Sequence, residues 1–209
     1  MTNQIDFEVT PAAKQSIRRF GTALLFALIA AVPAAAQQFS RGAALDSPVI
    51  AVTYDAERAK VAGTGGGGFW LQGGGVDAAM SFFKGLGIAA SLEGGHASNL
   101  QPGINLSKLT YLAGPRYTFS LSGLQVFGEG LFGMTHGFDG SFPTSGGLTP
   151  TANSYAMQFG GGADFMLARG FGVRVLEVDY VRTGVPNDGA NSQNDLRLAF
   201  GLSYHFLRK

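Results

Sequence analysis

From Asn194 to Phe206 the chain reads NDLRLAFGLSYHF. Leu196, Leu198, Phe200, Leu202, Tyr204 and Phe206 alternate with Arg197, Ala199, Gly201, Ser203 and His205. Successive side chains of a strand point to opposite faces, so this segment is a strand with one bulky apolar face and one small or polar face. A helix would scatter both sets around its axis. The pattern therefore demands a sheet whose two faces meet different environments.

The same period returns upstream. SYAMQFGGGADFML sets Tyr155, Met157, Phe159, Phe165 and Leu167 against Ser154, Gln158, Gly160, Gly162 and Asp164. SKLTYLAGPRYTF sets Leu109, Tyr111, Ala113, Tyr117 and Phe119 against Lys108, Thr110, Gly114 and Arg116. LGIAASLEGGH and VIAVTYDAE behave alike, with Glu93 and with Asp55 and Glu57 on their polar sides. Three segments are less regular. The start of FWLQGGGVDAAMSF fits either parity, although Asp77 later marks its polar side. In LQVFGEGLFGMTH the polar side marked by Glu129 also carries Phe127 and Leu131. In GVRVLEVDYVRT, Glu177 and Asp179 share a side while Arg174 falls on the apolar parity. Either a bulge near Val175 turns Arg174 inward, or Arg174 sits at a membrane edge and snorkels.

Eight strands result, at about 48–58, 69–82, 86–96, 106–119, 124–136, 154–167, 171–183 and 194–206. Each is close to the ~9–11 residues that carry a tilted strand across a bilayer. Short connections (FKGLG, SLSG, ARGF) alternate with long polar ones (KVAGTGGGG, ASNLQPGIN, GFDGSFPTSGGLTPTAN, GVPNDGANSQ). That asymmetry is the signature of an all-β, antiparallel, up-and-down transmembrane β-barrel. An even strand number puts both ends on the short-turn, periplasmic side.

Residues 1–36 have another character. Arg18 and Arg19 precede FGTALLFALIAAV, and small residues stand at Ala34 and Ala36. Basic region, short apolar run and small residues form a secretory signal peptide, cleaved after Ala36; the run is too short for a spanning helix. The expected organisation is a leader and signal peptide at 1–36, a short segment at 37–47 and a β-barrel at 48–209. Without the leader the chain is formally neutral, which removes any electrostatic case for nucleic acid. The absence of cysteine excludes disulfides, thiolate metal sites and cysteine nucleophiles.

Two eight-stranded barrels compete. A soluble lipocalin-like carrier turns its apolar face inward around a ligand; a membrane barrel turns it to lipid. Only 14% of residues are charged, against about 25% in soluble domains. The polar parity is mostly Gly, Ala, Ser and Thr, a poor water-facing exterior but a good filling for a narrow lumen. The inward charges are then Asp55, Asp77, Glu93, Arg116, Glu129, Asp164, Glu177, Asp179 and Arg197, with Lys108 and His205. Both signs are present, and Arg116 and Glu129 lie on neighbouring strands. Such a set either packs as a structural plug or gates a small pore; unpaired charges in a tight lumen would be costly.

The segments LAGPRYTF, QFGGGADF, VRVLEVDYVRT and NDLRLAFGLSYHF resemble the small eight-stranded outer-membrane β-barrel family, the OmpA/OmpX-like transmembrane domain, over about residues 48–206. The resemblance implies location in the outer membrane of a Gram-negative-type bacterium and contact with its lipid. It also implies insertion by the barrel-assembly machinery, with Tyr204 and Phe206 matching the C-terminal assembly signal. The family hosts several functions on one architecture.

Little chemistry is legible. His96 and Ser98 resemble the His-x-Ser dyad of outer-membrane lipid A deacylases, yet no acid is placed to orient the histidine. The glycine run at 63–68 lacks the Lys-Ser/Thr and helix of a phosphate loop. The three histidines have no metal spacing, and the loop Asp and Asn residues are explained by turn chemistry. The expectation is a monomeric, non-enzymatic barrel without cofactor, contributing to envelope integrity or surface interaction through its long loops. A narrow ion or solute pore, a lipid A-modifying enzyme and a soluble periplasmic carrier stand as alternatives.

Overall fold

The computed structural model describes residues 48–60, 68–101, 104–144, 147–186 and 191–206. The expected leader and signal peptide, with Ala34 and Ala36, lie outside these residues, as do most of the glycine run and the last three residues. The described strands are β1 (Val49–Lys60), β2 (Gly68–Phe83), β3 (Leu86–Gln101), β4 (Ile104–Leu121), β5 (Leu124–Phe138), β6 (Phe142–Thr144), β7 (Gly147–Thr149), β8 (Ala152–Ala168), β9 (Phe171–Thr183) and β10 (Gln193–His205).

Eight of them close a ring in the order β1-β10-β9-β8-β5-β4-β3-β2, every pair antiparallel. Closure comes from the first and last strands, which pair from Val49 with His205 to Arg58 with Leu196. No ladder edge is left open, as hydrocarbon requires of a spanning sheet. The short turns share the end that carries Val49 and His205. Two of them are two-residue hairpin loops with both central residues at positive φ: Lys84–Gly85 (45° and 91°) and Arg169–Gly170 (52° and 88°). This left-handed backbone matches the twist of the flanking strands.

The strands alternate as the sequence predicts. Leu202 is 66% exposed and Ser203 2%; Val52 is 59% exposed and Thr53 6%. Apolar side chains therefore face out all around the barrel, and the soluble-carrier alternative, which needs them inside, does not hold. The uncertain start of β2 resolves with Trp70 outward and Leu71 inward.

The connections differ from expectation in two places. The stretch 97–105, read as a long loop, is mostly strand: β3 and β4 pair to Ala97 with Leu106 and, after an irregularity, again at Gln101 with Ile104. The connection after β5 carries its own hairpin, β6–β7. Phe142 of that hairpin is 7% exposed, and its ring lies where a Cβ on Gly137 would come within 2.6 Å. Ala59, Leu71 and Ala97, on the neighbouring strands β1, β2 and β3, form a buried apolar cluster toward the same end, with Phe69, Leu100 and Leu106 packed against it. Asp195 and Thr183 are buried toward this end as well, and charges fill the lumen toward the turns.

Candidate functional site

The lumen is organised by one irregularity in β9. Glu177 pairs with Ala199 on β10, yet Arg174 pairs with Gly201. On the other side Leu176 pairs with Ala163 and Arg174 with Asp164. Three steps along β9 therefore match two on β10, and two steps along β9 match one on β8, so Val175 is an extra residue, the signature of a β-bulge. Val175 and Leu176 both face out, and Arg174 turns fully inward.

Inside, Arg174 donates through Nε to Asp164 Oδ1 at 2.9 Å. Its Nη1 donates to Asp77 Oδ2 and to Glu177 Oε2, each at 2.7 Å. One guanidinium thus ties β9 to β8 and, through the lumen, to β2. Arg197 donates through Nη1 to Glu177 Oε1 at 2.9 Å and Asp179 Oδ2 at 2.6 Å, and through Nη2 to Asp55 Oδ1 at 3.1 Å. Its Nε lies 3.5 Å from Glu93 Oε2. Glu177 accepts from both arginines and so joins the two clusters. Planar guanidinium forks suit this multiple carboxylate recognition better than ammonium groups would.

Arg116 and Glu129 are cross-strand partners on β4 and β5, with Nε donating to Oε2 at 2.5 Å. Phe127 carries the Arg116 guanidinium 4.2 Å and the Arg174 guanidinium 4.7 Å from its ring centroid. Its place on the polar side of β5 is therefore a cation–π position between two arginines. Lys108 and Glu57 pair across the lumen nearer the loops. His205, near the turn end, lies 3.7 Å from Asp164.

All nine charges placed inside by strand parity are buried in this lumen. Two further members of the network, Glu57 and Arg174, are not among those nine. Glu57 shares the parity of Asp55 and was recoverable from it. Arg174 could be placed only by deciding for the bulge, which the alternation hints at and the ladder shows. Two water-sized cavities border the network. One, of about 20 Å³, is lined by Asp55, Glu57, Glu93, Lys108 and Arg197 among others. The other, of about 10 Å³, lies toward the turns beside Arg116, Gln125 and Asp164. Each has room for about one water.

Outside the lumen, His96 and Ser98 both face outward on β3. His96 Nδ1 meets Ser107 Oγ at 2.9 Å, and that hydroxyl donates to Asp139 Oδ2 at 3.0 Å. At the turn end Tyr204 stacks edge-on with Phe171 and Phe206, with ring centroids 4.8 and 5.0 Å apart. Phe206 N donates to Pro48 O at 2.9 Å, extending the seam where the barrel closes.

A family model described as outer membrane protein beta-barrel domain matches residues 22–206. The chain belongs to that family. It is an outer-membrane β-barrel protein, its exterior set in lipid. Solved structures of small outer-membrane barrels share the fold. Neisserial surface protein A is 12% identical, with a TM-score of 0.60 over 76% of this chain and 97% of its own. Ail, the attachment invasion locus protein of Yersinia pestis, is 16% identical, with a TM-score of 0.54 over 77% of this chain and 99% of its own. A second Ail structure, in complex with the heparin analogue sucrose octasulfate, is 18% identical, with a TM-score of 0.52 over 77% of this chain and 99% of its own. No curated protein sequence matches the chain.

Proposed function

We propose that this outer-membrane barrel works without catalysis, as a monomeric, sealed anchor that holds its loops at the cell surface and adds to envelope integrity. The observation that carries the reading is the interlocked lumen. Arg174 and Arg197 reach across it, an apolar cluster adds to the filling toward the loops, and the cavities described beside them have room for about one water each, which supports a sealed barrel. The nine lumen charges, with Arg174, Glu57 and Lys108, then serve structure. The loops remain as the surface that can differ from one such barrel to another.

The outward histidine favours no enzyme. A serine nucleophile needs a histidine base that an acid orients. Here Asp139 and His96 meet on Ser107, so the acid holds the serine and leaves the imidazole without an acidic partner of its own. The loop sequences GFDGSFPTSGGLTPTAN and GVPNDGANSQ contain no Lys or Arg. They would meet a partner through amide, hydroxyl and carboxylate groups, and offer no cation to a polyanion of the kind in the Ail complex. Residues 1–36 act as the export leader in this reading, and Tyr204 and Phe206 present the last strand to the barrel-assembly machinery.

The test replaces residues 139–151 with a two-residue Asn-Gly turn and compares it with full-length protein in cells lacking the native gene. Both proteins should reach the outer membrane and shift on unboiled gels. Only the full-length form should restore binding of cells to abiotic or host surfaces. Equal restoration by both would overturn the role of this loop, and loss of a lipid A acyl chain in cells expressing either form would overturn the non-enzymatic reading.

A further inference from the structure

Glu129 on β5, Gly160 on β8 and Asp179 on β9 are successive cross-strand partners with inward parity. The middle residue has no side chain, so nothing separates the two carboxylates. A Cβ at Gly160 would fall 2.1 Å from Asp179 Oδ1. Glu177 is the next inward residue of β9. One oxygen from each of Glu129, Glu177 and Asp179 lies within 4.8 Å of the others, and all three residues are buried.

Both oxygens of Glu177 accept from arginines, but the other two carboxylates keep one oxygen each. Arg116 takes Glu129 Oε2 and Arg197 takes Asp179 Oδ2. Glu129 Oε1 and Asp179 Oδ1 are buried with no hydrogen-bond partner. Gln158, the next inward residue of β8 beyond Gly160, is 0% exposed, and neither its Oε1 nor its Nε2 has a partner. Its diagonal neighbours are Glu129 and Asp179. Four buried polar atoms without a partner thus lie on adjacent inward positions, and a bound ion is one recognised reason for such a group.

Charge points the same way. The network holds eight carboxylates: Asp55, Glu57, Asp77, Glu93, Glu129, Asp164, Glu177 and Asp179. Against them stand four permanent cations, Lys108, Arg116, Arg174 and Arg197. An excess of four buried negative charges needs cations or protons.

We propose that the lumen holds one divalent cation of the calcium type, bound by Glu129, Glu177 and Asp179 with the Gln158 carbonyl beside them. The donors are all oxygens, which selects a hard cation. Calcium accepts irregular oxygen sets at about 2.4 Å, so two oxygens on opposite sides of it stand about 4.8 Å apart. Magnesium demands a near-ideal octahedron at about 2.1 Å, which carboxylates already fixed by the arginines do not offer. The ion would halve the excess negative charge.

The test refolds the full barrel into lipopolysaccharide-free detergent with calcium chloride, or with EDTA, then desalts it and measures bound metal. Wild-type protein should retain one calcium per barrel and unfold at higher urea when refolded with calcium. Glu129→Gln and Asp179→Asn, checked as folded by their gel shift, should each retain less than a tenth of that. Gln158→Leu leaves every charge in place and should still weaken retention at least tenfold, which covers the case in which a carboxylate variant does not fold. No retained calcium in the wild type, with an unfolding midpoint indifferent to calcium, would mean that protons meet the excess charge, and would overturn the proposal. Undiminished retention in all folded variants would place the ion elsewhere and overturn it equally.

Discussion

Arg174 is the residue on which the lumen depends most. Its single guanidinium serves Asp77, Asp164 and Glu177, and it also lies over Phe127. Replacing Arg174 by Ala leaves three carboxylates facing one another in a dry space, and breaking a buried pair in this way costs about 3–5 kcal/mol. The unfolding midpoint of refolded Arg174→Ala should fall accordingly, in urea titrations read by the boiled and unboiled gel shift. Arg174→Lys should recover only part of the loss, since an ammonium cannot donate along three fixed directions. A change below about 1 kcal/mol in Arg174→Ala would mean that the network contributes little to stability. The inward charges were readable from parity because Arg, Asp and Glu do not sit on a lipid face at mid-strand. Their partners were less readable. Arg116 with Glu129 follows from adjacent strands, whereas Arg174 with Asp77 and Arg197 with Asp55 and Glu93 join residues far apart in the chain, and only closure of the ring brings them together.

At the scale of the strands, β9 shows how one extra residue controls the lumen. An uninterrupted β9 would carry Arg174 on the same face as Leu176 and Val178, toward lipid. Val175 absorbs the mismatch by sharing the outward face with Leu176. A deletion of Val175 should therefore be tolerated: Arg174 stays inward, Leu176 stays outward, and the protein still refolds and shifts on the gel. Deletion of Ala199 from β10, which has no bulge to absorb it, turns every residue on one side of the gap to the opposite face and should abolish folding. Failure of the Val175 deletion alongside the Ala199 deletion would show that the bulge supplies twist that the barrel needs. Period two also decides which elements show in the sequence. Between lipid and a narrow lumen it is imposed on every spanning strand, and β9 carries it with one interruption at Val175. Beyond the lipid, both faces of a strand meet water and the alternation lapses. The upper ends of β3 and β4, in ASNLQPGIN, therefore look like loop although they pair again at Gln101 with Ile104. β6 and β7 are three residues each, too short to show a period, and FPTSGGLT reads as turn chemistry.

For the molecule as a whole, two groups of side chains obstruct the lumen. One is the ionic network around Arg174 and Arg197; the other is the apolar cluster of Ala59, Leu71 and Ala97, a partial collar, with Phe142 near the loop end. An eight-stranded lumen is just wide enough for its own side chains, so each group alone suffices to stop a hydrated ion. Wild-type protein in a planar bilayer should give no stepwise conductance. Arg197→Ser with Asp179→Asn removes one cation and one anion together, which opens the network without adding net charge; the collar stays dry and the bilayer should remain silent. Leu71→Ser wets the collar but leaves the arginines in place, and it should be silent as well. The triple variant removes both barriers at once and should show brief openings that prefer cations, because Asp55, Asp77, Glu93 and Glu177 then line the path. Conductance in the triple variant alone, with neither partial variant contributing, is the outcome that two separate seals require. Steps already present in Arg197→Ser with Asp179→Asn would show that the collar does not exclude water, and steps in the wild type would mean that the barrel is a pore.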